Sequence, residues 1–258
     1  MTESAPTTDA RRRRVILKRI FPFLIRPRRE FESMAGGAGP AWLTPLLVLS
    51  VMLLLRVVVT GFLRAQAAAM GEVTLPPDWQ WWTSDMQNTY MQAMQATQGP
   101  VFLYIIPAIT GLVGLWFNWM IVSALLYLTS TLLGGRGTMT SALNIVGWAS
   151  LPLALRDLLR VIYMLVVRHT IVSPGLSGFI AGTEGGALFL AQLLKSLDLF
   201  LVWYAVLLVL GFSLLNNLPT KKAIAGVLVV LIVSLFAGAG LGALFSSLGG
   251  MMVTRPFL

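Results

Sequence analysis

Seven ionisable side chains lie within or at the edges of the long apolar stretches of this sequence. They are Arg56, Arg64, Arg156, Asp157, Arg160, Lys195 and Asp198. Ionisable residues are costly inside a bilayer, so each is a candidate functional residue. With a rise of about 1.5 Å per helical residue, Arg56, Arg156 and Asp198 fall about 21 to 24 Å from the inner ends of their helices. This spacing predicts a polar cluster in the outer half of a membrane.

Two interpretations of this set are open. The first pairs each aspartate with cations: Asp198 with Arg56 or Arg156, and Asp157 with Lys195 or Arg160. Five cations then face two carboxylates, and the electropositive cluster would hold a lipid headgroup, another anion or an acidic residue of a partner. In the second interpretation the long cations snorkel to the nearby interface, and one or two pairs only fix helix register. Lys195 and Asp198, three residues apart, would then satisfy each other.

The composition indicates that these stretches are membrane spans. Of the 258 residues, 57% are hydrophobic and 11% are charged, whereas a soluble domain carries about 25% charged residues. The long apolar runs predict an all-α, polytopic integral membrane protein, a bundle of five transmembrane helices. The predicted spans are residues 41–68, 101–133, 139–167, 188–215 and 223–248, between a basic segment (1–40) and a short outer tail (249–258).

The turn at residues 134–138 joins the second and third spans in a hairpin too short to hold a domain. The second span, at about 50 Å, exceeds a hydrocarbon core of about 30 Å, so it must tilt, protrude or bend. Pro152 predicts a kink in the third span. Gly238 and Gly242 form a small-xxx-small pair that predicts close helix contacts, within the chain or in a homo-oligomer.

The loop cations predict the orientation. If the N-terminus is inside, the inner segments hold nine cations before Pro40, Arg136, and two lysines at 221–222, twelve in all. The outer segments hold only Arg168 and Arg255. Because cytoplasmic loops carry an excess of Lys and Arg, the N-terminus is predicted to be cytoplasmic and the C-terminus outside.

The basic segment mixes apolar residues with cations. Its cations are Arg11, Arg12, Arg13, Arg14, Lys18, Arg19, Arg26, Arg28 and Arg29. This pattern predicts a cytoplasmic tail with a short interfacial helix, broken near Pro22 or Pro27, whose cations meet anionic lipid. The alternative is a solvated basic tail with no fixed structure.

Three stretches resemble the Yip (Ypt-interacting protein) membrane-domain family, in its bacterial branch. The run GGRGTMTSALNIVGWASLP at 134–152 resembles its Gly-Gly-basic-Gly signature and the Gly-Tyr/Trp-Ala-Ser-x-Pro that follows. The run LDLFLVWYAVLLVLGFS at 197–213 resembles its Leu-Asp-hydrophobic-Phe-x-x-Trp motif, and IRPRREFESM at 25–34 resembles its lead-in. The motif residues are Gly134, Gly135, Gly137, Gly147, Pro152, Asp198, Phe200 and Trp203.

The resemblance implies a five-helix bundle with a cytoplasmic N-terminus. Eukaryotic relatives act in vesicle traffic and bind small GTPases through their N-terminal regions. The short basic segment of this chain departs from that pattern, so GTPase binding is not carried over. Some bacterial relatives resemble accessory subunits of ATP-binding-cassette exporters or envelope-stress systems, which is the better analogue.

The sequence offers little for catalysis. Residues 175–178 match the Gly-x-Ser-Gly of rhomboid proteases, but the only histidine, His169, precedes Ser177 in the same loop. A serine without a base is not an activated nucleophile, and the motif is better explained as a turn. Cysteine is absent, which excludes disulfides and thiolate metal sites. We therefore predict no enzyme activity, no cofactor, no metal and no nucleic-acid partner.

The sequence thus predicts a non-catalytic scaffold or accessory subunit that binds other membrane proteins, an ATP-binding-cassette exporter among them, or lipids. The alternative is a small transporter or lipid-handling protein that uses the outer-half polar cluster. A cavity reaching Asp198 would favour the alternative, and a tightly packed bundle there would count against it. The bacterial-type motifs favour the bacterial inner membrane as the location.

Overall fold

The computed structural model describes residues 17–35, 40–71, 75, 79–180 and 185–254. All regular elements in these ranges are helices. Arg11, Arg12, Arg13, Arg14 and Arg255 lie outside the described residues, as do the side chains from residue 247 onward.

Ten α-helices follow one another in the described ranges. They are α1 (Ile20–Ile25), α2 (Pro27–Ala35), α3 (Leu43–Ala69), α4 (Ser84–Thr97), α5 (Ile106–Leu132), α6 (Met139–Ala149), α7 (Leu151–Val167), α8 (Gly185–Ser196), α9 (Leu199–Asn216) and α10 (Thr220–Thr254). A π-helical turn, Val101–Ile105, leads directly into α5. Short 3-10 segments cover Leu17–Arg19, Trp79–Trp81 and Ser177–Phe179.

Four helices in the described part are long and apolar enough to cross a membrane: Leu43–Ala69, Val101–Leu132, Leu199–Asn216 and Thr220–Ser246. The chain is therefore a polytopic membrane protein, but the prediction of five such helices is wrong. The third predicted span is divided into α6, with 11 residues, and α7, with 17. Each is shorter than the roughly 20 residues that a helix needs to span the hydrocarbon core.

The break between α6 and α7 lies at Ser150, two residues before Pro152. Proline has no amide hydrogen and its ring crowds the preceding turn, so a continuous α-helix is interrupted just before it. At the break the Ser150 amide and hydroxyl both donate to the Val146 carbonyl, at 3.1 and 2.6 Å.

The fourth predicted span is also divided, into α8 and α9. The chain is extended at Asp198 (φ −148°, ψ 175°), and its Oδ1 accepts a hydrogen bond from the Leu201 amide at 2.9 Å. An aspartate in this conformation is a helix N-cap. The expected continuous span 188–215 is therefore wrong, because Asp198 starts a new helix.

The N-terminal helices are packed into the bundle. Phe23 and Phe31 are completely buried, and the Phe23 ring lies 5.0 Å from Phe31 and 5.3 Å from Trp148. The break between α1 and α2 falls at Arg26, because the residue before a proline avoids the helical conformation. Helices α1 and α2 thus contribute buried side chains to the folded core, which a solvated basic tail would not do.

One end of the bundle, called the turn end below, is formed by residues 133–138 and 216–222. Gly134 there has φ +80°, a conformation that glycine adopts without strain. Asn216 joins the two turns: its Oδ1 accepts from the Ser130 hydroxyl at 3.1 Å, and its backbone carbonyl accepts from the Arg136 amide at 3.1 Å.

Candidate functional site

The candidate site is a network of three arginines and two aspartates away from the turn end. Arg56 Nη1 donates to Asp157 Oδ1 at 3.2 Å. Arg156 Nη1 and Arg160 Nη2 both donate to Asp198 Oδ2, at 3.3 and 3.2 Å. Weaker ion pairs join Asp157 to Arg156 at 3.8 Å and to Arg160 at 3.9 Å. We call these five residues the arginine–aspartate network.

Three helices position the network. The α7 helix supplies Arg156, Asp157 and Arg160; the two arginines are four residues apart and therefore share a face. That face meets Asp198 at the start of α9, while Asp157 points toward Arg56 on α3. Because Asp198 Oδ1 caps α9, only its other oxygen faces the arginines. Local helix capping thus fixes the carboxylate that the arginines share.

The two aspartates of the network are largely buried, and Arg56 is partly exposed. The exposed fraction of the side chain is 12% for Asp157, 15% for Asp198 and 35% for Arg56. Charges in such positions interact strongly and are costly to leave unpaired. Arg156 Nε is buried and has no hydrogen-bond partner among the described residues. With three cations and two carboxylates, the network carries one excess positive charge.

A cavity of about 790 Å³ adjoins the network. Its walls come from α3, the π-helical turn, α5, α7, the loop after α7, α8 and Gly242 of α10, and four cations line it: Arg56, Arg64, Arg160 and Lys195. A second cavity of about 710 Å³ shares Arg64 with it and reaches Arg168 and His169. A third, of about 350 Å³, is lined by Arg156, Arg160 and Asp198.

The structure thus brings five of the seven ionisable residues of the predicted cluster into one network, all except Arg64 and Lys195. Two of the expected pairs are present, Arg156–Asp198 at 3.3 Å and, more weakly, Arg160–Asp157 at 3.9 Å. The contacts of Arg56 with Asp157 and of Arg160 with Asp198 were not expected. Lys195 makes no ion pair with a carboxylate in the described part of the chain and lines the large cavity instead. The helix break between Lys195 and Asp198 removes the helical i, i+3 geometry that would have let them pair.

The family of Yip1 domains matches residues 22–241 of this chain. The chain belongs to the Yip1 domain family. Comparisons with curated proteins and with solved structures gave no match. The match covers most of the chain, from α1 to the described part of α10, and includes every residue of the arginine–aspartate network. It supports the resemblance at the level of the family, whereas the bacterial branch stays a prediction.

The family-like stretch 134–152 begins at the turn end and continues through α6 to the α6–α7 break. A Cβ atom at Gly137 would collide with Asn216 Oδ1, so only glycine fits there. A Cβ at Gly147 would lie 3.3 Å from Pro45, which shows how closely α6 approaches α3. Pro152 follows the α6–α7 break. These positions determine how closely the helices approach and where α6 ends, and none of them belongs to the arginine–aspartate network.

The second Yip1 motif lies at the network. Asp198 is part of it, and Phe200 lines the small cavity beside Arg156 and Arg160. Trp203 is partly buried against the main core. This motif therefore combines a carboxylate that binds arginines with aromatic groups that pack beside it.

Sequence reasoning missed two buried asparagines. Asn144 Oδ1 accepts from the Ala41 amide at 2.9 Å, next to the Trp148 indole, which donates to the Ala41 carbonyl at 3.2 Å. Asn216 is the second buried asparagine, and it joins the two turns through its bonds with Ser130 and Arg136. Both lie in or beside apolar runs, where a buried amide must find partners. An asparagine in an apolar run therefore indicates a buried hydrogen bond, but the sequence does not identify the partner.

Ser177, the serine of the Gly-x-Ser-Gly stretch, stabilises a turn. Ser177 Oγ donates to the Pro174 carbonyl at 2.7 Å, within the loop between α7 and α8. Among the described residues, no group of three or more His, Cys, Asp or Glu side chains is arranged to hold a metal ion.

Proposed function

We propose that this Yip1-family protein is a non-catalytic membrane scaffold or accessory subunit that crosses the membrane five times. The aspartates of the arginine–aspartate network and the two buried asparagines are bound within the chain, while the proposed partner-binding surface is apolar. The observation that carries the proposal is this division: these carboxylates and amides have their partners inside the bundle, and an outward stretch of α10 offers open glycines.

The fifth crossing is the broken pair α6–α7. Near the start of α3, Asn144 of α6 binds the Ala41 amide at 2.9 Å. Near the far end of α3, Met164 of α7 accepts from the Thr60 hydroxyl at 3.8 Å. The pair therefore accompanies α3 over most of its length. Together α6 and α7 contain 28 residues, about 42 Å of helix, which is enough for a crossing.

With five crossings, the segments rich in Lys and Arg all lie on one side of the membrane. This distribution favours a cytoplasmic location for the N-terminus and for the turn end. The network and its cavities would then lie toward the outer leaflet. The N-terminal helices fit a cytoplasmic interface, because Phe21 and Ile25 are exposed beside the exposed cations Lys18 and Arg29. Anionic lipid is the partner that such a surface suits. A bacterial inner membrane is the location we propose.

Protein partners would dock on α10. A Cβ at Gly238 or Gly240 would meet no described atom within 4 Å, whereas a Cβ at Gly242 would lie 3.3 Å from Gln192 Oε1. Glycines on a membrane helix let another helix come close and gain van der Waals contact. An ATP-binding-cassette exporter subunit is the partner class that the family resemblance implies, and a second copy of this chain is the other.

The test is co-purification of the full chain in mild detergent, followed by mass spectrometry. We expect a membrane protein in stoichiometric amount with the wild type and at least about fivefold less with Gly238→Leu/Gly240→Leu, because the added side chains keep the partner helix away. Val229→Leu/Val233→Leu, which enlarges exposed positions of the same helix, is the matched control and should retain the partner. Equal recovery with both variants would disprove the proposed surface.

A small transporter or lipid-handling protein is a second candidate function. It is favoured by one observation: a cavity of about 350 Å³ reaches Asp198, whereas a tightly packed bundle would have counted against it. Uptake or exchange of a labelled lipid by vesicles containing the purified protein tests this function. No difference from protein-free vesicles would leave the scaffold as the only proposal.

A further inference from the structure

We propose that the 790 Å³ cavity binds the phosphate group of an anionic amphiphile, and that Arg64 and Lys195 are its primary ligands. Arg56 and Arg160 line the same cavity and would contribute to the positive field. This site goes beyond the scaffold role and deepens the second candidate function, on which it rests, by naming the class of ligand.

The charges in the cavity are unbalanced. None of the residues that line it is an aspartate or glutamate. Arg56 and Arg160 already bind the carboxylates of the arginine–aspartate network. Arg64 and Lys195 have no ion pair with any carboxylate that the structure describes. Two cations thus face the cavity without compensation, and an anion that enters it would gain charge-assisted hydrogen bonds.

The geometry of these cations suits a phosphate group. Arg64 lies two helical turns beyond Arg56 on α3, and Lys195 lies near the end of α8, so the ligands come from different helices. A guanidinium binds phosphate oxygens in a bidentate fork, and an ammonium acts as a compact point charge. Arg64 is common to the walls of the two large cavities, so a bound group would be accessible from both.

The remaining walls suit an amphiphile better than a free ion. They include Leu53, Val57, Leu103, Pro107 and Met164. The volume lies within the range of about 300 to 1,000 Å³ that is usual for small-molecule sites. A cavity whose wall holds both cations and aliphatic groups matches a phosphate headgroup joined to its glycerol and first acyl carbons.

Native mass spectrometry of the purified full chain tests the proposal. The probes are dioleoylphosphatidylglycerol, dioleoylphosphatidylcholine as the zwitterionic comparison, and inorganic phosphate. We expect the wild type to prefer phosphatidylglycerol, and Arg64→Gln/Lys195→Gln to bind it about tenfold more weakly, which corresponds to about 1.4 kcal/mol. Arg136→Gln/Lys221→Gln removes two exposed cations at the turn end and should bind like the wild type.

A second variant guards against misfolding. Arg64→Lys/Lys195→Arg keeps both charges and should retain binding within about threefold, since only the shape of the ligands changes. Equal affinity of the wild type and Arg64→Gln/Lys195→Gln for phosphatidylglycerol would overturn the proposal. If millimolar phosphate displaces the lipid in the wild type alone, the site recognises phosphate as such and a free anion is an equally suitable source; absence of displacement identifies the lipid as the source.

Failure of this site and failure of the scaffold give different results. The Gly238→Leu/Gly240→Leu variant leaves the cavity wall intact, because neither glycine lines it. It should lose the protein partner and keep the lipid. The Arg64→Gln/Lys195→Gln variant should do the reverse.

Discussion

At the turn end the chain is fixed by neutral groups, whereas at the opposite end it is fixed by charges. Asn216 makes its contacts with a hydroxyl and with backbone groups at about the ideal distance of a neutral hydrogen bond. Each such bond contributes about 1 kcal/mol. Arg56, Arg156 and Arg160 instead depend on two carboxylates, and removing one partner of a buried pair costs about 3 to 5 kcal/mol.

The comparison teaches where function can reside. The buried amides at the turn end are satisfied within the chain, and the cations there, Arg136, Lys221 and Lys222, are exposed on its surface. The arginine–aspartate network has one cation more than it has carboxylates, and the adjoining cavity adds two. A structural role explains the turn end, whereas the excess charge at the other end is stabilising only if something outside the described chain balances it.

The largest effect is expected from Asp157→Asn. This change removes the carboxylate that all three arginines approach and leaves like charges close together. We expect a loss of about 3 kcal/mol in the free energy of unfolding, measured by thermal or denaturant unfolding in mild detergent. The double variant Arg56→Gln/Asp157→Asn should lose less than the sum of the single variants, because the pair is coupled. Additive losses would show that Arg56 and Asp157 act independently.

A smaller effect is expected at the turn end from Gly137→Ala. The new methyl group would displace Asn216 and break its contact with Ser130. Overpacking and a lost buried hydrogen bond together cost about 2 kcal/mol, measured in the same unfolding experiment. Gly114→Ala is the matched control, since a Cβ there meets no described atom within 4 Å. Equal stability of the two variants would contradict the tight contact.

The smallest effect is expected from Asp198→Asn. Asparagine keeps the N-cap of α9 with its amide oxygen, but the NH2 group that replaces Oδ2 cannot accept from Arg156 and Arg160. The loss is limited because both arginines retain their weaker contacts with Asp157. We expect a loss of about 1 kcal/mol, and about 1 kcal/mol more for Asp198→Ala, which also removes the cap. The loss is measured in the same unfolding experiment, and protein level and assembly on size-exclusion chromatography are the further readouts. If Asp198→Asn changes neither, a cluster organised by this carboxylate is untenable.

Much of the site could be predicted from the sequence, because charges in apolar runs are conspicuous. Depth along each helix placed Arg56, Arg156 and Asp198 at one level, and the structure brings these helices together there. The Arg156–Asp198 pair was among those expected, whereas the contacts of Arg56 with Asp157 and of Arg160 with Asp198 were not, since they depend on helix rotation. Asp198 was treated as an intramembrane charge, although an aspartate before an apolar run is also a helix start signal.

The fold could be predicted less completely. The all-α membrane character follows from composition, and Pro152 marks the break between α6 and α7. The burial of Phe23 and Phe31 could not be foreseen, because the cations around them favoured a membrane surface over a core. Hydropathy reports which residues avoid water, and it does not tell a protein interior from a lipid one.

The packing of α2 against α9 constrains the order in which the protein can be made. Phe31 lies against the position of Gly211, where an added Cβ would approach its ring at 2.8 Å. These residues are 180 positions apart, so the ribosome has synthesised most of the chain before Phe31 has a binding surface. The contact between α2 and α9 can form only after α9 has been synthesised, although Phe23 of α1 also packs against Trp148 of α6. Completion of the bundle is thus coupled to completion of the polypeptide.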